Sequence, residues 1–161
     1  TPTVGSVDKA GGGGEAGADV VIDYRAEDLV ERVREETQGL GVDCIIEVDF
    51  AVNVEKDFAM IAPEGRIVVY GSASPEIRVP FVPAILKNVR LSFFIVYHLS
   101  GADRATAIHR LHGWLQAGEL QHAIALRLPL EQIAQAHEVV ESGSAMGNVV
   151  LGIADEASLA T

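Results

Sequence analysis

Several short apolar runs of the chain are followed by polar or small residues that could bind a ligand. Ser6 and Lys9 follow the first run, and a hydroxyl donor beside an ammonium group could hold a phosphate. Tyr24 follows the second run, where a phenol could reach a phosphate or lie beside an aromatic base. A solvent-exposed turn lysine and a packing tyrosine are the alternatives at these positions.

The next two runs end in residues that could flank a flat ring. Val48 and Asp49 follow one run, and Tyr70, Gly71 and Ser72 end and follow the other. A glycine at a strand end lets a ligand approach the backbone closely. Because ligands of open α/β sheets bind at the carboxyl ends of the strands, these positions together predict a nucleotide site.

The end of the first run indicates which nucleotide is bound. It reads Val4-Gly5-Ser6, whereas a protein that binds NAD usually places an acidic residue at such a strand end for the ribose hydroxyls. Ser6 and Lys9 would instead accommodate a 2′-phosphate, so the sequence favours NADPH. Asp8 argues mildly in the other direction.

Strand-like and helix-like segments alternate along the chain, which predicts right-handed βαβ crossovers. The predicted strands are Asp19–Ile22, Asp43–Val48, Arg66–Tyr70, Val89–Tyr97, His122–Leu126 and Asn148–Ile153. The predicted helices are Ala26–Thr37, Asn53–Ile61, Ala102–Ala117 and Leu130–Glu141. The central runs are continuous rather than alternating, which is typical of strands buried on both faces of a parallel sheet. We therefore expect a Rossmann-like, doubly wound α/β fold with three layers.

Composition excludes some classes of function and leaves others open. The 161 residues suit one domain, and a formal net charge of −11 disfavours binding to nucleic acid or to an anionic membrane. No apolar run reaches the length of a membrane span. Cys44, the single cysteine, is expected to pack inside a strand and fits a reducing, cytoplasmic compartment. His109 and His112 lack a nearby carboxylate or thiol, so we expect no metal site.

Four successive glycines interrupt the expected pattern. Gly11–Gly14 lie where the rhythm requires a crossover helix, and each glycine costs a helix about 1 kcal/mol relative to alanine. They stand either for side chains that were never assigned or for a real flexible loop. The run does not have the position of a dinucleotide-binding glycine motif, which follows the first strand.

Three longer segments together resemble the quinone oxidoreductase (zeta-crystallin-like) branch of the medium-chain dehydrogenases/reductases. They read VIDYRAEDLVERVREETQGLGVDCIIEV, APEGRIVVYGSAS and AHEVVESGSAMGNVVL. The resemblance extends from about Thr3 to Ile153. It implies a partial dinucleotide-binding domain over residues 1–153 and a tail over 154–161, with the family's first strand, pyrophosphate loop and catalytic domain outside this sequence.

The resemblance also assigns residues to a bound NADPH. It implies adenosine and phosphate contacts at Ser6, Lys9 and Tyr24, and a strand-end turn at Val48 and Asp49. It further implies nicotinamide contacts at Tyr70, Gly71, Ser72, Phe94, Ile95 and Val96. None of these residues is expected to be catalytic. Where the family often has an arginine near the phosphate, this chain has Gly143 and Ser144.

Activity and assembly follow from the same resemblance as expectations. The parent protein is expected to transfer hydride from NADPH to a quinone or an activated alkene (enone), without zinc. The long apolar strand Val89–Tyr97 is expected at a sheet edge, where it would form a homodimer. A non-catalytic NADPH-binding or structural module, the cofactor domain of a zinc-dependent alcohol dehydrogenase, and an S-adenosylmethionine-binding methyltransferase remain alternatives.

Overall fold

Strands and helices alternate along the described part of the chain, residues 3–4, 17–120 and 122–153 of a computed structural model. The strands are β1 (Thr3–Val4), β2 (Ile22–Asp23), β3 (Val42–Glu47), β4 (Ile61–Val69), β5 (Arg90–Phe93), β6 (Ile124–Pro129) and β7 (Asn148–Gly152). The helices are α1 (Leu29–Glu36), α2 (Phe50–Met60), α3 (Phe81–Leu86), α4 (Gly101–Ala117) and α5 (Ile133–Glu141). Short 3₁₀ turns cover Val96–His98 and Leu130–Gln132. The Gly11–Gly14 run and the tail predicted over residues 154–161 lie outside the described residues.

The chain divides into two compact units, and the strands within each are parallel. One unit comprises Ile22–His112, and the other comprises the described parts of Thr1–Val21 and Gly113–Thr161. In the first unit β4 lies between β3 and β5, with Ile67 opposite Ile45 and Leu91. In the second unit β6 pairs with β7. The predicted α/β class with parallel strands is confirmed.

Helix α1 shows how local sequence sets an element boundary. The side chain of Asp28 accepts hydrogen bonds from the backbone N–H groups of Val30 (2.9 Å) and Glu31 (3.1 Å), so it caps the helix. The i,i+4 spacing in the predicted helix Ala26–Thr37 indicates ion pairs of Arg32 with Asp28 and with Glu36, and the pair with Glu36 is present at 2.6 Å. The predicted pair of Arg32 with Asp28 is replaced by one with Glu27, because the Asp28 carboxylate is already used as the cap.

The core of the Ile22–His112 unit lies between α2 and the three-stranded sheet. Its buried members are Phe50, Val54, Phe58, Ile61, Ile67 and Val69. Strand β4 starts directly after α2 ends. Its pairing with β3 is irregular at Asp43, opposite the part of β4 that contains the turn at Glu64, whose φ is +61°. The observed strand therefore begins at Ile61, earlier than the predicted start at Arg66.

Three sequence expectations about burial and length are wrong. Strand β5 ends at Phe93 rather than Tyr97, because the chain leaves the sheet and forms the 3₁₀ turn Val96–His98. Strand β3 is not buried on both faces, since Ile46 is 66% exposed and Cys44 is exposed. His137 is also exposed, although its place on the apolar face of the predicted helix Leu130–Glu141 indicates a core histidine. In the described ranges no helix is both long and apolar enough to cross a membrane.

Candidate functional site

A cleft of about 670 Å³ lies at the carboxyl ends of β4 and β5. Its lining residues are Val69, Tyr70, Gly71, Ser72, Ser74, Pro75, Ile77, Phe93, Phe94, Ile95, His98 and Leu99. Most of these side chains are apolar or aromatic, with two serine hydroxyls and one imidazole among them. Because β4 and β5 are parallel, their carboxyl ends meet at one edge of the sheet, where ligands of α/β proteins bind.

Backbone hydrogen bonds join the turn after β3 to the segment after β4. The N–H of Tyr70 donates to the carbonyl of Glu47 (3.0 Å), and the N–H of Phe50 donates to the carbonyl of Gly71 (3.2 Å). The Asp49 side chain adds a third connection by accepting a bond from the N–H of Ala73 (2.9 Å). These three bonds fix one side of the cleft.

Gly71 permits the close approach of these two segments. A Cβ atom at Gly71 would lie 2.3 Å from the carbonyl oxygen of Val48, which is inside any allowed contact distance. The sequence signal of a glycine at a strand end therefore reflects backbone-to-backbone packing here.

Aromatic side chains and a serine turn form the rest of the wall. The rings of Tyr70 and Phe94 lie with centroids 6.1 Å apart, and Phe93 contacts the core residue Phe50 edge-on at 6.0 Å. The Ser72 hydroxyl donates to the carbonyl of Ser74 (2.9 Å) and accepts from its N–H (3.2 Å). The wall is thus a preformed, mostly apolar surface suited to a flat ring.

The structure brings most of the predicted nicotinamide residues together. Those that line the cleft are Tyr70, Gly71, Ser72, Phe94 and Ile95. Val96 directly follows Ile95 and begins the 3₁₀ turn. Val48 and Asp49 lie behind the wall, where the carbonyl of Val48 and the carboxylate of Asp49 contact the segment after β4.

Of the three predicted adenosine residues, only Tyr24 lies in the part of the chain that the structure describes. Tyr24 is an exposed residue in the turn after β2 and is not part of the cleft lining. Ser6 and Lys9 lie outside the described residues. The role of all three therefore stays a prediction.

Sequence reasoning missed several lining residues and a buried polar cluster. Ser74, Ile77, His98 and Leu99 lie in loops beyond the strand ends, where no periodic pattern marks them. The buried residues Glu47 and Asp57 lie directly behind the turn at Val48. The sequence gives little signal for Asp57, because it directly follows the charged residues Glu55 and Lys56.

Comparison with known proteins shows similarity over most of this chain. It is 26% identical to the quinone oxidoreductase of Lama guanicoe over 136 residues, which is 84% of this chain and 41% of that protein. A mycobacterial quinone oxidoreductase structure is 28% identical with a TM-score of 0.79, covering 92% of this chain and 47% of that one. An NAD-dependent alcohol dehydrogenase structure is 27% identical with a TM-score of 0.74, covering 94% and 43%.

The chain therefore spans less than half the length of each of these proteins. A sequence model of the zinc-binding dehydrogenases matches residues 16–151. That match includes β2 to β7 almost completely, together with every residue that lines the cleft. The chain belongs to the zinc-binding dehydrogenase family.

Proposed function

We propose that this chain binds NADPH as part of an oxidoreductase that transfers hydride to a quinone or an activated alkene. The observation that supports this most is the cleft at the ends of β4 and β5, which is lined by Gly71 and by the aromatic pair Tyr70 and Phe94. Residues 1–153 would form the cofactor-binding domain. The quinone oxidoreductases among its relatives favour this substrate class.

The residues present fit a nicotinamide ring. The cleft volume of about 670 Å³ lies within the range of about 300–1,000 Å³ that holds small ligands and cofactors. A bound nicotinamide would supply the hydride, and the protein would supply orientation and exclusion of water. Tyr70 and Phe94 would pack against the ring, while the backbone at Gly71 and Ser72 would face its ribose.

The described residues do not fit the zinc that the family name implies. Among residues 3–4, 17–120 and 122–153, no group of three or more histidine, cysteine, aspartate or glutamate side chains is placed to hold a metal. We therefore derive no step through zinc from this chain. Proton uptake by a reduced quinone from solvent needs no general acid in the cleft.

Titration of the complete protein with NADPH, NADH and S-adenosylmethionine tests the proposal. Isothermal calorimetry reports binding of all three ligands, and enhancement of dinucleotide fluorescence reports binding of NADPH and NADH. We expect NADPH to bind most tightly. Preference for NADH by more than about tenfold (about 1.4 kcal/mol) would defeat the phosphate assignment, and binding of S-adenosylmethionine alone would defeat the function.

Two matched lysine variants sharpen the phosphate assignment. Lys9→Met is expected to weaken NADPH binding and leave NADH binding unchanged, because it removes one positive charge from the proposed 2′-phosphate site. Lys56→Met, at an exposed position of α2, is the control and should change neither. NADPH binding without turnover of any quinone or enone would favour a non-catalytic binding module.

A further inference from the structure

Two carboxylic acids are buried together behind the turn that backs the cleft. Glu47 ends β3 and is 6% exposed, and Asp57 lies on α2 and is 1% exposed. Asn53 is one helical turn before Asp57, on the same face of α2. We call Glu47, Asn53 and Asp57 the acid cluster. Buried carboxyl groups are costly unless they are hydrogen-bonded, so their arrangement needs a reason.

The Glu47 carboxylate is satisfied by donors from the turn and the helix. Its Oε1 atom accepts a short hydrogen bond from the N–H of Asp49 and a second from the Asn53 side-chain amide (3.1 Å). Its Oε2 atom accepts from the same amide (3.3 Å). These donors hold the Glu47 side chain against the turn and against α2.

Asp57 has no comparable set of donors. Its Oδ2 atom is buried and has no hydrogen-bond partner among the described residues. Burial raises the pKa of Asp57 to about 7, with further contributions from the Glu47 charge and from a hydrogen bond to Glu47. Among the described residues no donor reaches Asp57 Oδ2, so the neutral, protonated carboxyl is the form that this buried position tolerates.

Among the charged groups on the elements packed against α2, Glu47 is the one that raises the pKa of Asp57. On the neighbouring β3, Asp43 is exposed, and on α1 the charges of Arg32 and Arg34 are paired with glutamates. On β4, Glu64 and Arg66 are exposed. After α3, the Lys87 ammonium group binds carbonyls at the end of α2, including that of Phe58 (2.8 Å). None of these groups contributes to the pKa shift of Asp57, whereas Glu47 does.

The acid cluster is connected to the cleft through a short series of contacts. Glu47 binds the N–H of Asp49, and the Asp49 side chain binds the N–H of Ala73, which follows the lining residue Ser72. The carbonyls of Glu47 and Gly71 also take part in the bonds that join the two segments. Displacement of Glu47 would therefore move the wall that the lining residues Tyr70 to Ser72 form.

We propose that a proton on Asp57 keeps its carboxyl neutral beside the buried Glu47, and that this holds the Val48–Asp49 turn, and thus the cleft wall, in the conformation that binds the nucleotide. They are positioning residues, because neither lines the cleft. The proposal rests on the proposed NADPH function. Loss of the proton from Asp57 would leave two negative charges in one buried site, and the two side chains would move apart. Nucleotide affinity should therefore fall as pH rises through neutrality.

Nucleotide titrations of the complete protein at pH 6 and pH 8 test this. In the unmodified protein we expect the Kd for NADPH to rise by at least about fivefold over this range, the low end of measured coupling between sites. Asp57→Asn keeps the shape and mimics the protonated acid, so its Kd should change with pH much less. Glu55→Gln, at an exposed position of the same helix, should behave as the unmodified protein.

Titration of the nucleotide's own 2′-phosphate is common to all three proteins and cancels in their comparison. Equal pH dependence in the unmodified protein and in Asp57→Asn would overturn the proposal. A positioning role also predicts that Glu47→Gln weakens binding at both pH values. Unchanged Kd in a folded Glu47→Gln protein would overturn the proposal too, and if that variant does not fold, Asp57→Asn alone decides.

Hydrogen exchange separates this proposal from the proposed function. Exchange of the Asp49 and Ala73 amides, measured without nucleotide, should accelerate between pH 6 and pH 8 beyond the intrinsic rate in the unmodified protein but not in Asp57→Asn. A protein that shows this difference but binds no dinucleotide would refute the proposed function and keep the positioning role. Dinucleotide binding with no difference in exchange would refute the positioning role alone.

Discussion

At the scale of single residues, Asp57 makes stability depend on pH. Its pKa is raised to about 7 in the folded protein, whereas an unfolded aspartate has a value near 3.8. Between these values the folded state holds a proton that the unfolded state has lost. Asp57 therefore does not reduce the free energy of unfolding below pH 3.8. The free energy falls as pH rises from 3.8 to 7, and above pH 7 the contribution of Asp57 stays constant.

Chemical denaturation of the unmodified protein and Asp57→Asn between pH 4 and pH 8 measures this effect. As pH rises, the unfolding free energy of the unmodified protein should fall relative to that of Asp57→Asn, by about 4 kcal/mol at most. Glu55→Gln controls for removal of a carboxylate on the same helix. A constant difference across the range would mean that Asp57 is ionised throughout.

Lys87 is a second residue whose contacts predict a measurable contribution. Its ammonium group donates to the carbonyls of Phe58 (2.8 Å), Ala59 (3.4 Å) and Ile61 (2.7 Å), which end α2 and begin β4. Lys87→Met removes these bonds but keeps the aliphatic stem. We expect the unfolding free energy to fall by about 1.5–3 kcal/mol, the usual value for a hydrogen bond to a charged group.

The matched control for Lys87 is again an exposed lysine. Lys56→Met on α2 should change the unfolding free energy by less than about 0.5 kcal/mol, as surface substitutions usually do. Similar losses of unfolding free energy for both variants in thermal or urea unfolding would show that the hydrogen bonds from Lys87 to the end of α2 are not the source of the effect.

At the scale of elements, the packing of the β3 turn against the end of β4 depends on Gly71. Gly71→Ala places a methyl group 2.3 Å from the backbone oxygen of Val48, and neither backbone can yield without breaking the bonds between the segments. We expect a loss of about 1–3 kcal/mol in unfolding free energy and weaker dinucleotide binding. Calorimetry measures both quantities.

Gly113→Ala is the control for that substitution. Gly113 lies within α4, and a Cβ atom there would meet nothing within 4 Å. Alanine should stabilise α4 by up to about 1 kcal/mol and leave binding unchanged. If Gly71→Ala proved as harmless as Gly113→Ala, close approach of the two segments would not be required.

Sequence patterns located most elements but not the points at which the chain leaves them. Strands β3 and β7 were predicted within one residue, because apolar runs with a following polar residue mark both ends. The apolar run Val89–Tyr97 was overextended, since exposed apolar residues in a loop look the same as strand residues. Helix α3 was missed because it is only six residues long and contains Pro83.

The candidate site was predictable at strand ends and unpredictable elsewhere. Tyr70, Gly71 and Ser72 follow a strand directly, so topology alone placed them at the cleft. Glu47 and Asp57 lie on different elements, a strand and the helix that follows it. A single sequence does not show which residue of a helix faces which residue of the preceding strand. Spacing on α2 alone would suggest that Asp57 is solvated.

At the scale of the whole molecule, a continuous exposed apolar segment predicts association. Phe93, Phe94, Ile95, Val96 and Tyr97 are all exposed, and Tyr97 is 78% exposed. Solvent-exposed apolar segments of this kind usually mark an interaction surface. We propose that the part of this segment outside the cleft lining, Val96 and Tyr97, contributes to a homodimer interface, which the sequence predicts for Val89–Tyr97.

Sedimentation velocity of the complete protein at micromolar concentration tests the dimer. Tyr97→Lys should shift the protein toward monomer, because it places a charge in the proposed interface without altering a cleft-lining residue. Leu40→Lys, at a turn residue that is 74% exposed, is the control and should leave the dimer intact. A monomeric unmodified protein would refute the interface.

The exposed position of Cys44 on β3 gives the protein a natural site for a spectroscopic probe. It is the only cysteine among these 161 residues, so a thiol-reactive label on a protein of this sequence would attach at one known place without mutagenesis. That place is three residues before Glu47 on the same strand, so the label would report on the strand that ends at the acid cluster. Fluorine or spin labels at Cys44 would therefore follow movement of this strand during nucleotide binding, in a protein otherwise unaltered.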